Sequence, residues 1–143
     1  MLGKAAQLYG RENRWGKLPV TIYPEAYAAT RELTDMTFVN RSYRYYTGTP
    51  LFPFGAGLSY TSFRLAALHV SPSDRSVSAT LTNTGTRAGA AVVQLYVGYP
   101  PAAGEPPQQL RGFAKRMLQP GDTARVRFAF PASDRDVSVW DGD

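Results

Sequence analysis

The chain has no cysteine and a single histidine, His69. The first absence excludes a disulfide scaffold, a thiolate metal site and a cysteine nucleophile; the second excludes a multi-histidine metal centre. No apolar run approaches the roughly 18 residues of a membrane span. Residues 1–10, MLGKAAQLYG, lack the charged start, apolar centre and small-residue cleavage site of a signal peptide. Acidic groups are in modest deficit, 11 against 16 Lys and Arg, for a net charge of +5. That surplus is spread along the chain without a polybasic block, so neither nucleic acid nor a membrane is an expected partner. What the chain has in quantity is turn formers: 13 Gly and 11 Pro among 143 residues. With 43% hydrophobic residues, this composition fits one ordinary globular domain or two very small ones, built of turn-rich β structure rather than a helical bundle.

Hydrophobic alternation places the strands. In SVSATLTN (76–83), Val77, Ala79 and Leu81 alternate with Ser78, Thr80 and Thr82, the period of a half-buried strand. In AAVVQLYVG (90–98), Val93, Leu95 and Val97 share one face, and Gln94 and Tyr96 the other. Residues 113–118 and 123–130 read as a hairpin about a type II turn at Gln119-Pro120-Gly121-Asp122, because Pro120 presets its φ and Gly121 supplies a positive one. Val126, Phe128 and Phe130 then point inward, with Arg125 and Arg127 outward. Residues 113–118 alternate less cleanly, since Lys115 shares a face with Phe113 and Met117. Further strands are expected at 62–70, with His69 near its end, and at 136–141. This spacing predicts a mainly β fold, an antiparallel sandwich of immunoglobulin-like or fibronectin-like type.

The first third reads differently. Ala5, Ala6, Leu8 and Tyr9 look like the last turns of a helix stopped by Gly10. GKLPVTI (16–22) fits one strand, which Pro19 confines to an edge or a strand start. Residues 25–33 fit two helical turns. Tyr43, Tyr45, Tyr46, Phe52, Phe54, Tyr60 and Phe63 crowd into a stretch punctuated by Pro50, Pro53, Gly55 and Gly57. Such rings serve either as a platform on which sugars stack or as an apolar plug between domains; the rigid, tightly turned backbone favours the plug. Burial of Phe52, Phe54 and Tyr60 is the corresponding expectation. Asn40-Arg41-Ser42 is a glycosylation sequon, which matters only in a secreted protein.

YRYYTGTPLFPFGAGLSYTSF (43–63) resembles the junction between the second catalytic domain and the fibronectin type III-like domain of family 3 glycoside hydrolases. GKLPVTI, VVQLYV (92–97), LRGFAKRML (110–118) and DVSVWD (136–141) resemble other stretches of that family in the same order. The resemblance implies a division into residues 1–42, the remnant of an α/β second catalytic domain; 43–61, an aromatic, Pro/Gly-rich junction; and 62–143, a fibronectin type III-like domain short of its last strands. It implies a C-terminal segment of a retaining glycosidase that removes terminal β-linked sugars without metal or cofactor. YPEAY (23–27) and RSYRYYTG (41–48) look most like the β-xylosidase branch, with β-glucosidases as the neighbouring one. The family's nucleophile and acid/base carboxylates lie upstream of the matching region. No catalytic residue is therefore assigned here: Glu12, Glu25, Glu32 and Asp35 sit in no matching catalytic motif and read as surface or helix-end charges. The implied partners are the preceding catalytic domains, with carbohydrate reached only through them, and the implied parent is compatible with secretion. The rival reading is a stand-alone fibronectin-type binding or adhesion module.

Overall fold

A computed structural model describes residues 3–30, 32, 34–37 and 39–130. The strand expected at 136–141 lies outside the described residues. Among the described residues five strands carry the fold: β1 (Phe63–Ser71), β2 (Ser76–Asn83), β3 (Gly89–Gly98), β4 (Gln108–Leu118) and β5 (Thr123–Ala129). β1, β2 and β5 form an antiparallel sheet with β2 in the centre, and β3 pairs with β4 in a second sheet. The helices are short: α1 (Gly3–Leu8), α2 (Ser42–Tyr45), and 3-10 turns at Glu25–Thr30 and Pro101–Ala103. The mainly β, antiparallel sandwich expected from the alternation is the fold observed. The described chain divides into two compact units. One comprises residues 3–16, 58–95 and 110–130; the other comprises Lys17–Gly57 and Tyr96–Gln109.

The first unit holds the core. Leu81, Val93, Leu118 and Val126, one each from β2, β3, β4 and β5, form its buried cluster. Phe63, Ala91, Ala114, Ala124 and Phe128 pack around them. The β2–β5 register pairs Val77 with Phe128, Ala79 with Val126 and Leu81 with Ala124. Because side chains alternate, that register puts Val126 and Phe128 inward and leaves Arg125 and Arg127 exposed, as the pattern predicts. Arg125 donates to Ser78 Oγ at 3.0 Å. β1 breaks register between Ala66 and His69, where Ala67 takes a φ of 51°, the signature of a bulge.

The expected hairpin of 113–118 with 123–130 is corrected. β4 pairs with β3 and β5 with β2, so the turn between them joins the two sheets. The turn itself is as expected: Gly121 has a φ of 82°, Asp122 N–H donates to the Gln119 carbonyl at 3.1 Å, and Gln119 N–H donates to Asp122 Oδ2 at 3.0 Å. Its hand explains the outcome, since a type II turn splays the strands it joins instead of matching their twist. The inward residues of β4 are Gly112, Ala114 and Leu118, while Phe113 is 71% exposed beside exposed Lys115 and Met117. Gly112 matters for a steric reason: a Cβ there would lie 2.8 Å from the Phe128 ring.

Two buried asparagines fasten this unit. Asn83, fully buried at the end of β2, donates through Nδ2 to the Arg87 carbonyl at 2.8 Å and the Leu118 carbonyl at 3.1 Å. Its Oδ1 accepts from Thr61 Oγ1 at 2.8 Å and Gly85 N–H at 3.1 Å. Its backbone exchanges bonds with Asp122 and Gly121, each at 3.0 Å. Asn13 donates to the Ala88 carbonyl at 3.2 Å and accepts from Ser59 Oγ and Tyr60 N–H at 3.2 and 3.1 Å. α1 ends as predicted, with Gly10 left-handed at a φ of 72°.

Residues 16–22 do not make a regular strand. Only Ile22 bridges, antiparallel to Phe52, while Leu18 exchanges backbone bonds with Gly55 and Ala56 at 2.8 Å. Pro19 lies between these two points and has no N–H to continue the ladder. The helical turns expected over 25–33 are a 3-10 helix at Glu25–Thr30.

Asn83→Ala is expected to destabilise the chain by about 2–3 kcal/mol, because it orphans the buried Leu118 carbonyl and takes their partner from the part-buried Arg87 carbonyl, Thr61 hydroxyl and Gly85 N–H. Gly112→Ala should cost about 1–3 kcal/mol by forcing the Phe128 ring off β4. Urea unfolding midpoints of the two variants, at unchanged slope, check both values.

Candidate functional site

The aromatic run of the sequence does not stay together in space. Tyr60 and Phe63 belong to the first unit. Tyr60 meets Trp15 edge-on at 6.0 Å, donates its hydroxyl to the Leu8 carbonyl at 3.1 Å, and carries the Arg87 guanidinium over its ring at 5.6 Å. Phe63 packs on the core. Tyr43, Tyr46 and Phe54 belong to the second unit and line a small open pocket of about 200 Å³. Thr21, Tyr96 and Gln108 complete its polar and aromatic lining, and Pro50 and Pro53 lie along its rim-forming turns.

Ring packing sets the walls. Tyr43 stacks on Phe54 at 4.2 Å between centroids and meets Tyr96 edge-on at 6.0 Å. Tyr23 and Tyr27 stack on each other at 4.1 Å, and Tyr46 abuts both edge-on, at 4.9 and 5.4 Å. The Tyr23 phenol oxygen accepts from Ser42 N–H at 2.6 Å, and the Tyr27 hydroxyl donates to the Asn40 carbonyl at 2.8 Å. Gly48 passes so close to Tyr46 that a Cβ there would lie 2.5 Å from its hydroxyl.

The expectation that Phe52, Phe54 and Tyr60 are all buried is corrected. Phe54 is half-buried in its stack, but Phe52 is 54% and Tyr60 41% exposed. Phe52 is committed through its backbone to the bridge with Ile22, which turns its ring outward; Tyr60 needs its hydroxyl at a carbonyl and so packs by one edge. Tyr45 is half-buried and does not line the pocket.

Burial governs the phenols. Desolvation raises the Tyr23 pKa above 10.0; the Ser42 N–H opposes it, the neighbouring Tyr27 and Tyr46 add to it, and Arg41 lowers it. Desolvation, with Tyr43 adding, raises Tyr96. Both stay protonated donors at neutral pH.

None of Glu12, Glu25, Glu32 and Asp35 lines this pocket. Glu12 pairs with Arg14 at 2.9 Å, and Glu25 begins the 3-10 turn. Glu32 accepts from Thr34 Oγ1 at 3.3 Å, and Asp35 accepts from Thr37 N–H at 2.9 Å with Arg41 at 3.9 Å. Among the described residues, no group of three or more His, Asp or Glu is placed to hold a metal ion. Asn40 of the sequon is half-buried and left-handed, and its Oδ1 accepts from Thr47 N–H at 3.1 Å. Sequence reasoning missed Thr21, Tyr23, Tyr27, Tyr96 and Gln108 as neighbours of the cluster. Only the i, i+4 spacing of Tyr23 and Tyr27 carried a local signal.

An alkaline titration of the folded chain should show two phenols ionising late. A raised folded pKa means the folded state holds protons that the unfolded state has released, so stability falls as pH climbs from about 10 through the folded values. Below pH 10 the contribution of these groups is fully present. Tyrosinate absorbance of Tyr23→Phe and Tyr96→Phe variants, each lacking one late phenol, checks the assignment.

Residues 91–143 match the fibronectin type III-like domain family. Over 164 residues the chain is 38% identical to probable β-glucosidase J of Neosartorya fischeri, covering 97% of this chain and 19% of that protein. It is 40% identical to probable β-glucosidase L of Emericella nidulans over 94% of this chain and 22% of that protein. Among solved structures, the β-D-glucoside glucohydrolase of Trichoderma reesei superposes with a TM-score of 0.78 at 33% identity, over 96% of this chain and 23% of that one. β-Glucosidase 3B of Thermotoga neapolitana, in complex with glucose, superposes at 0.75 and 33% identity, over 97% and 22%. The chain thus spans about a fifth of the length of the relatives it matches.

Proposed function

Since the chain is a segment of a family 3 glycoside hydrolase that carries the fibronectin type III-like domain, we propose that it is the non-catalytic, stabilising part of an enzyme that removes terminal β-linked glucose. The observation that carries this reading is identity of 37–40% over nearly the whole chain to proteins named as β-glucosidases. The β-xylosidase assignment suggested by YPEAY and RSYRYYTG finds no counterpart in those names, so glucose replaces xylose in the proposal. Retaining hydrolysis needs two carboxylates about 5–5.5 Å apart across the scissile bond. We assign neither to this chain: Glu12, Glu25, Glu32 and Asp35 are engaged in local contacts or exposed. The segment's own contribution is mechanical. A β-sandwich with a buried core and two satisfied amides holds its loops rigid, and the catalytic domains of the parent enzyme would be its partners.

Reading the gene on both sides of these 143 codons and expressing the extended frame is expected to give an enzyme with greater turnover on aryl β-glucoside than on aryl β-xyloside. The reverse preference would restore the xylosidase reading. The 143-residue chain alone should show no turnover above buffer with either substrate. Turnover abolished by changing one of Glu12, Glu25, Glu32 or Asp35 would overturn the non-catalytic role.

A further inference from the structure

We propose that the pocket of the second unit, walled by Tyr43, Tyr46, Phe54 and Tyr96 and edged by Thr21 and Gln108, binds one neutral pyranose ring as a non-catalytic sugar site.

Size comes first. At about 200 Å³ the pocket is smaller than the roughly 300–1,000 Å³ of sites for drug-sized ligands, so it suits a single small ring. Charge comes second. Among the described residues no charged side chain lines it, so none of them rewards a phosphate, a carboxylate or a cation for giving up its hydration. The third warrant is the mismatch between apolar walls and polar groups. Thr21 Oγ1 is buried with no hydrogen-bond partner among the described residues. Tyr46 and the exposed Gln108 also line the pocket, and the hydroxyl of the one and the amide of the other can each both donate and accept.

A purely apolar guest would satisfy the rings and leave Thr21 unpaired, at the cost of a buried polar group. A small open-chain polyol would satisfy the hydroxyls but present no face to the rings. A pyranose has both parts: C–H faces for the aromatic walls and a rim of hydroxyls that donate and accept. The walls are also pre-set. Tyr43 is clamped between Phe54 and Tyr96, and Tyr46 is propped against the Tyr23–Tyr27 stack, so little ordering remains for a ligand to impose. Burial keeps the Tyr96 phenol protonated, which preserves an uncharged wall.

The test is a titration of the 143-residue chain with methyl β-D-glucopyranoside, followed by backbone amide shifts. Saturable shifts confined to residues near 21, 43–48, 96 and 108, with a millimolar dissociation constant, are expected. Tyr46→Phe and Gln108→Ala each remove one polar group without removing a wall, and each should weaken binding about 5–10-fold, the worth of a single hydrogen bond. Amide spectra matching the parent chain elsewhere establish that both variants fold. Shifts that stay linear up to the sugar's solubility, shifts reproduced equally by glycerol, or an affinity unmoved in both variants would overturn the proposal. Because the titration reads binding to this chain alone, its failure leaves the glycosidase reading standing, and failure of the activity assay leaves the sugar site standing.

Discussion

The Asn83 amide is the point on which the sandwich turns. It sits at the end of the central strand with no exposure to solvent, and every hydrogen-bonding capacity of its side chain is used. Its partners come from the end of β4, from the loop that follows β2 and from the stretch that leads into β1. Its backbone also grips Gly121 and Asp122, in the turn that carries the chain from one sheet to the other. A buried primary amide tolerates this position only because two carbonyls and two donors meet it; with one missing, the low dielectric that strengthens the other bonds would penalise the orphan. Glycine is required beside it for the same reason. A side chain at Gly85 would collide with Thr61 Oγ1, which bonds Asn83, and one at Gly89 would collide with Asn13 Nδ2, the second buried amide.

Around that fixed point the hydrophobic terms are modest in number and well distributed. Among the described residues four side chains supply the buried cluster, one from each of four strands, and small residues at Ala91, Ala114 and Ala124 let the sheets approach. Gly112 takes this furthest, giving the Phe128 ring direct access to the β4 backbone. A core so built depends on close approach more than on volume, and so added methyl groups are as damaging here as removed ones.

The second unit solves a different problem. Among its described residues there is no buried hydrophobic cluster, and their order comes from ring–ring packing and a few backbone bonds: the tyrosine stack at 23, 27 and 46, the Tyr43–Phe54 pair, and the broken ladder of Leu18 and Ile22 with residues 51–56. Aromatic packing by stacks and edges leaves gaps that aliphatic packing would fill, and the pocket is one of them. The polar atoms on its wall are what make such a gap chemically selective. The proposed sugar site would act separately from the proposed hydrolysis.

Much of this was legible in the residues. Alternation located β2, β3 and β5 and, in β5, told the inner face from the outer one, because a period of two is a property of the strand itself; in β2 the expected outer Ser78 is buried as well. Pro120-Gly121 fixed a turn, and Gly10 a helix end, because φ preferences are local. The order of motifs pointed to the enzyme family. Pairing was not legible: the same alternation suits any neighbour, and the hand of the turn, together with the Asn83 contacts to Leu118 and Gly121, sends β5 to β2 and not to β4. Nor was the pocket. Its tyrosines were visible as a cluster in sequence, yet Tyr60 and Phe63 went to the sandwich while Thr21, Tyr96 and Gln108 arrived from elsewhere. Backbone conformation and strand faces were thus set by the sequence locally. Which surfaces meet was decided only by the tertiary structure, because contact depends on how the whole chain satisfies its buried hydrogen bonds at once.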